Sequence, residues 1–151
     1  AVTFTQTLEY IDDVDKALDE AKRLQKPNSK FVNISTLWDY FGFHGPEKKL
    51  NKIIHDSYRG QRHSMLPIEL NGKLEFHGYT NIKTYELSFF ITSKDENSFP
   101  KFHEINMVNT ALKNGISEDL VSNWQFQLSR AEKEGRLAFT VMSVLTSAFS
   151  I

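Results

Sequence analysis

The first 35 residues of the chain constrain its fold most, because they have the pattern of a strand, a helix and a second strand. Val2–Thr5 predicts a short strand that is buried on both faces. Asp12 or Asp13 can cap the following helix, which ends at Lys26 because a residue before proline is disfavoured in the α region. The apolar positions of this helix are spaced three and four residues apart: Val14, Ala17, Leu18, Ala21 and Leu24. A second strand at Lys30–Ser35 completes a predicted right-handed βαβ unit with parallel strands.

The remainder of the chain continues this mixture of helices and strands. Further helices are predicted at Glu47–Tyr58, Pro67–His77, Phe99–Leu112 and Leu120–Glu134, and further strands at Ile82–Thr92 and Leu137–Phe149. Strands and helices that alternate at first indicate the α/β class and a sheet of four or more strands. The 151 residues contain no internal repeat and no convincing linker, so residues 1–151 are predicted to form a single domain.

An aromatic loop, Thr36–Pro46, follows the second predicted strand and contains four aromatic residues, one histidine and two glycines. In an open α/β sheet, the loops at the carboxyl ends of parallel strands hold the ligand. Trp38, Phe41 and Phe43 therefore have two interpretations. They are either a hydrophobic cover beneath the loop or the wall of a pocket for a small, partly apolar substrate. The residues alone do not decide between these interpretations.

The charge balance and the residue types exclude several functions. With 18 Lys and Arg against 19 Asp and Glu, the chain has no basic excess, so we expect neither a nucleic-acid partner nor an anionic membrane. The absence of cysteine excludes disulfides and thiolate chemistry and favours a cytoplasmic location. The histidines lack H-x-x-x-H and H-E-x-x-H spacing, so no metal site is expected. The apolar-leaning run Leu137–Ile151 is too short to span a bilayer.

The remaining polar features have structural interpretations. The lysines of the Glu47–Tyr58 helix favour a solvated helix face over a basic groove, and the same interpretation applies to His55 and His63. The sequence contains no glycine-rich nucleotide loop and no G-x-S-x-G elbow. Residue chemistry by itself therefore predicts an α/β domain without a diagnostic catalytic motif.

A resemblance to a known family runs along the chain. The segment from Thr3 to Ser35 resembles strands four and five of class I S-adenosylmethionine-dependent methyltransferases, together with the helix between them. The matching positions of the helix, turn and strand are Ala17-Leu18, Glu20-Ala21, Arg23-Leu24, Lys26-Pro27 and Phe31. Asn28-Ser29 stands where Gly-Gly is usual, which a turn tolerates because Asn adopts the left-handed conformation.

Later segments resemble the same family in the same order. Trp38-Asp39 and His44 resemble a loop of the small-molecule branch related to quinone-biosynthesis methyltransferases. The segment from Leu66 to Ile82 resembles the helix and turn that enter strand six. The closing helix and strand seven are matched by Trp124, Leu128, Gly135-Arg136 and Phe139. The resemblance therefore covers essentially the whole chain.

The resemblance implies half of a Rossmann-like sheet. The strand order of the family is 3-2-1-4-5-7-6, of which this chain would supply 4-5-7-6 with helices on both faces. The glycine-rich loop and the acidic residue that hold the methyl donor belong to the preceding half, so we expect them outside this chain. Val2–Thr5 would then be an open sheet edge, which predicts that a second protein chain or a second copy covers it.

The implied activity is methyl transfer from S-adenosylmethionine to a small, partly apolar acceptor, by a methyltransferase that sequence outside this chain completes. By resemblance, the residues that bind the methyl donor would be Thr5, Gln6 and Thr7. The acceptor pocket would be lined by Trp38, Phe41, Phe43 and His44. Of these, His44 is the candidate general base, because the ordinary pKa of histidine suits that role. The alternative is a non-catalytic regulatory or structural subunit that pairs with a methyltransferase-like partner.

Overall fold

The computed structural model describes residues 1–60 and 63–151 of the chain. The chain divides into two compact units. The first comprises Ala1–Tyr40, Arg62–Ser88 and Met142–Ile151, and the second comprises Phe41–Gln61 and Phe89–Val141. The single domain predicted from the sequence stays a prediction. The sequence between the second and third predicted helices indicates a loop at residues 60–64, and Gln61 and Arg62 of this loop lie outside the described residues.

The described strands form one sheet. They are β1 (Val2–Thr5), β2 (Lys30–Thr36), β3 (Gly42–His44), β4 (Tyr79–Ile91) and β5 (Ala138–Ser150). β1 and β2 are parallel, and β5 is antiparallel to both β2 and β3. The sheet has the order β1-β2-β5-β3, and β4 also pairs with β5. When β1, β2, β4 and β5 are numbered four, five, six and seven as in the family, the path β1-β2-β5-β4 has the expected order 4-5-7-6. The predicted α/β class is confirmed.

Four of the five described helices begin at a side chain that accepts a hydrogen bond from the first turn, and the third helix is the exception. The helices are α1 (Val14–Leu24), α2 (Lys48–Arg59), α3 (Leu66–Phe76), α4 (Phe99–Lys113) and α5 (Glu118–Lys133). Asp13 caps α1 by accepting from the Lys16 N–H at 2.9 Å, and Ser98 caps α4 in the same way. α1 ends before Lys26, because Gln25 is already extended. Within the described residues, no helix is long and apolar enough to cross a bilayer.

The core of the first unit lies between its strands and helices α1 and α3. It contains Leu18 of α1, Leu70 of α3 and Phe31 of β2, all fully buried. The opposite face of β2 is only half-buried at Val32 and Ile34. β1 was predicted to be buried on both faces, which is wrong, since Thr3 and Thr5 are exposed. The reason is that only the other face of β1 packs against the core, through Phe4, and that β1 pairs with β2 alone in the part of the chain that the structure describes.

The core of the second unit is formed by α2, α4, α5, β3 and the first residues of β5. Its largest fully buried side chains are Phe43, Ile54, Met107, Trp124, Leu128 and Phe139. β3 was not predicted, because the aromatic loop carries no periodic pattern over so short a strand. It forms because Gly42 and His44 pair with Thr140 and Ala138 of β5.

Candidate functional site

The carboxyl end of β1 turns sharply through Thr5, Gln6 and Thr7, the three residues that the resemblance assigns to the methyl donor. All three are exposed. The Gln6 N–H still donates to the Ile34 carbonyl at 2.8 Å, and the Thr7 hydroxyl donates to the Thr5 carbonyl at 2.8 Å. The turn then enters a short 3₁₀ helix, Leu8–Tyr10, whose Leu8 anchors it in the core. The exposed strand end therefore has a fixed backbone.

Gln6 has an unusual backbone conformation, with a φ of 48°. The other non-glycine residues with positive φ among those described are Asn28, Asn81 and Asn97. Asparagine tolerates the left-handed region, whereas for other residues with a Cβ this region is strained. Backbone strain of this kind is concentrated at functional sites.

The Gln6 side chain belongs to a chain of three polar groups that links β1, β2 and β5 in the first unit. The Thr36 hydroxyl donates to Gln6 Oε1 at 3.1 Å, and the hydroxyls of Thr36 and Ser143 lie 3.1 Å apart. Thr36 and Ser143 are both buried and are paired across β2 and β5. The Thr36 N–H donates to the buried carboxylate of Glu9 at 3.2 Å. Sequence reasoning missed Thr36 and Ser143, which are 107 residues apart.

Trp38, predicted to line the acceptor pocket, also lies in the first unit. It is 4% exposed and sits in a short 3₁₀ helix, Trp38–Tyr40. Its backbone N–H donates to the Ser64 carbonyl at 3.2 Å. The indole is therefore packed inside this unit, and its assignment to an acceptor pocket stays a prediction.

Phe41 and Phe43, the other predicted aromatic wall residues, are packed together in the second unit. Both rings contact Phe139 of β5, with centroids 5.2 and 4.7 Å away. Phe43 also meets Trp124 edge-on at 5.7 Å, and Phe41 lies 5.9 Å from the ring of Tyr58. Of the two interpretations of these aromatics, their burial favours hydrophobic cover.

Two side chains of α2 hold the backbone of Phe43 in place. His55 Nε2 accepts from the Phe43 N–H at 2.9 Å, and the Asn51 side-chain amide donates to the Phe43 carbonyl at 2.8 Å. His55 Nδ1 lies 2.7 Å from the Asn51 carbonyl, so this nitrogen carries the proton of a neutral imidazole. Asn51 in turn accepts from the Trp124 indole at 2.8 Å.

His55 was predicted to lie on a solvated helix face, which is wrong. It is 7% exposed, and burial lowers its pKa to about 4. Gly42 lies directly against its ring, since a Cβ at that position would overlap the imidazole. The i, i+4 spacing of Asn51 and His55 on α2 was the signal available in the sequence, because it places the two side chains on one helix face.

His44, the candidate base, lies at the end of β3 and is exposed. Its Nε2 is 2.8 Å from the hydroxyl of Thr140 on β5. The exposed ring is accessible to a bound molecule, and its role as a base stays a prediction.

An acidic cavity of about 330 Å³ opens at the start of α1 in the first unit. Its lining includes Asp12, Asp13, Asp15, His63, Glu69 and Lys73. Hydrogen bonds from Lys73 and His77 lower the pKa of Asp15. Its carboxylate is thus already paired, and the described residues contain no group of three or more His, Cys, Asp or Glu side chains that could hold a metal ion.

Comparison with known proteins places the fold. No known protein family and no curated protein matches the sequence. The YcgJ protein of Bacillus subtilis is 13% identical, with a TM-score of 0.51 over 98% of this chain and 62% of that protein. A methyltransferase-like protein of Bacillus halodurans is 12% identical, with a TM-score of 0.50 over 99% of this chain and 68% of its own.

A third solved structure is a more distant likeness. Phosphoethanolamine N-methyltransferase 2 of Haemonchus contortus, solved with phosphomonomethylethanolamine and S-adenosylhomocysteine, is 14% identical with a TM-score of 0.48. This chain covers 33% of that protein and less than two thirds of YcgJ. At such identities the first two likenesses establish the fold alone. It is the Rossmann-like fold of class I methyltransferases.

Proposed function

We propose that this chain is the carboxyl-terminal part of a class I methyltransferase of the quinone-biosynthesis-like branch, completed by sequence outside the chain. The observation that carries the proposal is the strand path β1-β2-β5-β4, which reproduces the family order 4-5-7-6. Together with the methyltransferase-like neighbour of the same fold, this order supports methyl transfer from S-adenosylmethionine.

The uncovered parts of the first unit support the expected partner. Among the described residues β1 pairs with β2 on one edge only, so its other edge offers backbone groups to a further strand. On the half-buried face, Val32 and Ile34 of β2 lie beside the exposed Thr3 and Thr5. A second protein chain, or a second copy of this one, would pair with the edge and cover this face.

The proposed reaction needs little acid–base chemistry from the protein. A nucleophilic atom of the acceptor attacks the methyl carbon, the carbon–sulfur bond breaks toward sulfur, and the acceptor loses a proton. Holding the two reactants in line supplies most of the acceleration. Thr5, Gln6 and Thr7 would position the donor at the end of β1, and His44 would take the proton of the acceptor.

The test is binding of S-adenosylhomocysteine measured by titration calorimetry. We expect no tight binding by residues 1–151 alone, and tight binding once the segment encoded upstream of Ala1, or a partner chain, is added. The upstream sequence is expected to contain a strand followed by a G-x-G-type loop. Tight binding by residues 1–151 alone, or no binding after completion, would contradict the proposal.

The alternative, a non-catalytic subunit paired with a methyltransferase-like partner, is favoured by the same open edge of β1. Transfer of labelled methyl groups separates the two, since a non-catalytic subunit would leave activity intact when His44 and Gln6 are both replaced by alanine. Gel filtration tests the edge itself. A stable monomer of residues 1–151 at high concentration would count against a partner at β1.

A further inference from the structure

We infer that Gln6 binds a carbonyl or carboxylate oxygen of the ligand, and that Thr36 and Ser143 are positioning residues that aim its carboxamide. The inference deepens the proposed function, on which it rests, because it assigns the chemistry of one subsite at the end of β1. It also names two residues that the resemblance does not assign.

The direction of the hydrogen bonds follows from the number of protons available. Thr36 has a single hydroxyl proton, which it donates to Gln6 Oε1. The Thr36 oxygen must therefore act as acceptor toward Ser143, whose hydroxyl donates. The Ser143 hydroxyl therefore donates to Thr36, and the Thr36 hydroxyl donates to Gln6.

This direction determines which end of the Gln6 carboxamide is presented outward. Its oxygen is bound to Thr36, and the amide nitrogen has no acceptor within the described part of the chain. Gln6 is exposed, whereas Thr36 and Ser143 are buried. Two N–H donors thus remain available at the strand end. Because the carboxamide is neutral, it would select an oxygen by hydrogen-bond geometry rather than by charge.

The backbone supports the same assignment. Gln6 has a φ of 48°, and its N–H donates to the Ile34 carbonyl. The other described non-glycine residues with positive φ are all asparagines, a residue type that adopts this conformation readily. Asparagine at this position would be less strained but one methylene shorter. The longer glutamine, in spite of its strain, reaches the Thr36 hydroxyl.

The oxygen can come from either of two sources, the α-carboxylate of the methyl donor or a carboxyl group of the acceptor. Chemical shifts of the Gln6 side-chain amide distinguish them, measured in the ¹⁵N-labelled chain after it has been completed by the upstream segment or a partner chain. The probes are S-adenosylhomocysteine, methylthioadenosine (which lacks the amino-acid portion) and 4-hydroxybenzoate. We expect the Gln6 amide to shift with S-adenosylhomocysteine if the donor is the source, or with 4-hydroxybenzoate if the acceptor is. Methylthioadenosine should leave it unchanged.

Variants separate positioning from folding. Thr36→Val keeps the shape of the side chain and removes its hydroxyl, and should weaken the Gln6 response roughly tenfold. Ser143→Ala leaves the Thr36 donor in place and should weaken it about two- to threefold. Gln6→Glu keeps the length of the side chain but removes its N–H donors. The affinity for the probe that shifts Gln6 in the unmodified chain should therefore fall by about tenfold or more. This affinity is measured from the backbone amides that the same probe shifts. Thr84→Val on β4 is the matched control and should respond like the unmodified chain.

Two outcomes overturn the inference. One is a Gln6 amide that does not respond to any probe. The other is a response that Thr36→Val and Ser143→Ala leave unchanged. If backbone amides respond to S-adenosylhomocysteine while the Gln6 side chain does not, the inference fails and the proposed function stands. If Gln6 responds to 4-hydroxybenzoate but the completed protein does not bind S-adenosylhomocysteine, the proposed function fails instead.

Discussion

In the first unit Gln6, at the end of β1, is exposed and strained, whereas in the second unit Phe43 of β3 is buried and has both backbone polar groups hydrogen-bonded. Gln6 offers an amide nitrogen to solvent from a left-handed backbone. Phe43 has both of its backbone polar groups bound by side chains of α2 and its ring enclosed by aromatics. Two residues of the same sheet region, one just after a strand and one within a strand, thus have opposite environments.

The difference separates residues that hold the fold from residues that are available to a ligand. A buried aromatic ring contributes several kcal/mol by excluding water, so changing it alters stability before it alters binding. An exposed carboxamide contributes little to stability and can be replaced with the fold intact. Four predictions test this contrast.

The largest effect is expected for Phe43→Ala in the second unit. Phe43 is 1% exposed and contacts Trp124 and Phe139, so its truncation leaves a cavity in the core. We expect a loss of about 3–5 kcal/mol in the free energy of unfolding, measured by urea denaturation. Phe43→Leu, which fills most of the volume, should cost less than half as much. A loss under about 1 kcal/mol would mean that Phe43 faces an open pocket.

The next effect is a pH dependence caused by His55. Burial lowers its pKa to about 4, whereas in the unfolded chain it titrates near its ordinary value of about 6.5. The unfolded state therefore binds the proton more readily between these values, and stability falls as the pH falls from about 6.5 to about 4. This difference in pKa corresponds to a loss of about 3 kcal/mol in the free energy of unfolding.

The His55→Gln variant isolates this contribution. It is expected to be less stable at pH 7 but to lose less stability than the unmodified chain between pH 6.5 and pH 4. The lowered carboxyl pKa values of Glu47 and Asp56 are common to both proteins and cancel in the comparison. Identical pH profiles for the two proteins would show that His55 is not the buried neutral group.

Two glycines should respond to alanine with opposite signs. Gly42 has a φ of 147°, and an added Cβ would overlap the ring of His55. We expect Gly42→Ala to destabilise the protein by about 2 kcal/mol or more. Gly72 in α3 of the first unit has no atom within 4 Å of such a Cβ, so Gly72→Ala should stabilise it by about 0.5–1 kcal/mol. Thermal melts of both variants show whether each substitution raises or lowers the stability. If both substitutions changed the stability in the same direction, the close contact assigned to Gly42 would be contradicted.

Local features of the fold were predictable from the sequence. The βαβ unit from Val2 to Thr36 has the predicted elements, because apolar spacing, the Asp13 cap and the Pro-Asn turn are all local signals. β4 and β5 also agree with their predicted positions within a few residues. The order of the strands required the family resemblance, since periodicity carries no information about which strands pair.

Contacts between distant residues were not predictable in the same way. The pairing of Thr36 with Ser143 joins β2 to β5 and leaves no trace in either segment. β3 forms only because β5 is present, and His55 is buried only because Phe43 lies against α2. A histidine on a lysine-rich helix has the composition of a solvated face, and only its tertiary neighbours reverse that interpretation.

The smallest effect is expected for Gln6→Gly, at the opposite end of the contrast. Glycine relieves about 1–2 kcal/mol of left-handed strain, but it loses about 1 kcal/mol from the Thr36 hydrogen bond and adds about 0.5–1 kcal/mol of backbone entropy. We therefore expect the free energy of unfolding to change by less than about 1 kcal/mol.

Gln6→Ala is the matched control, since it loses the same hydrogen bond and keeps the strain, and it should be about 1 kcal/mol less stable than Gln6→Gly. If Gln6→Gly instead destabilised the protein by more than about 2 kcal/mol, Gln6 would belong with Phe43 among the residues that hold the fold. A near-neutral result would leave its strained conformation without a role in stability, as expected of a residue kept for a ligand.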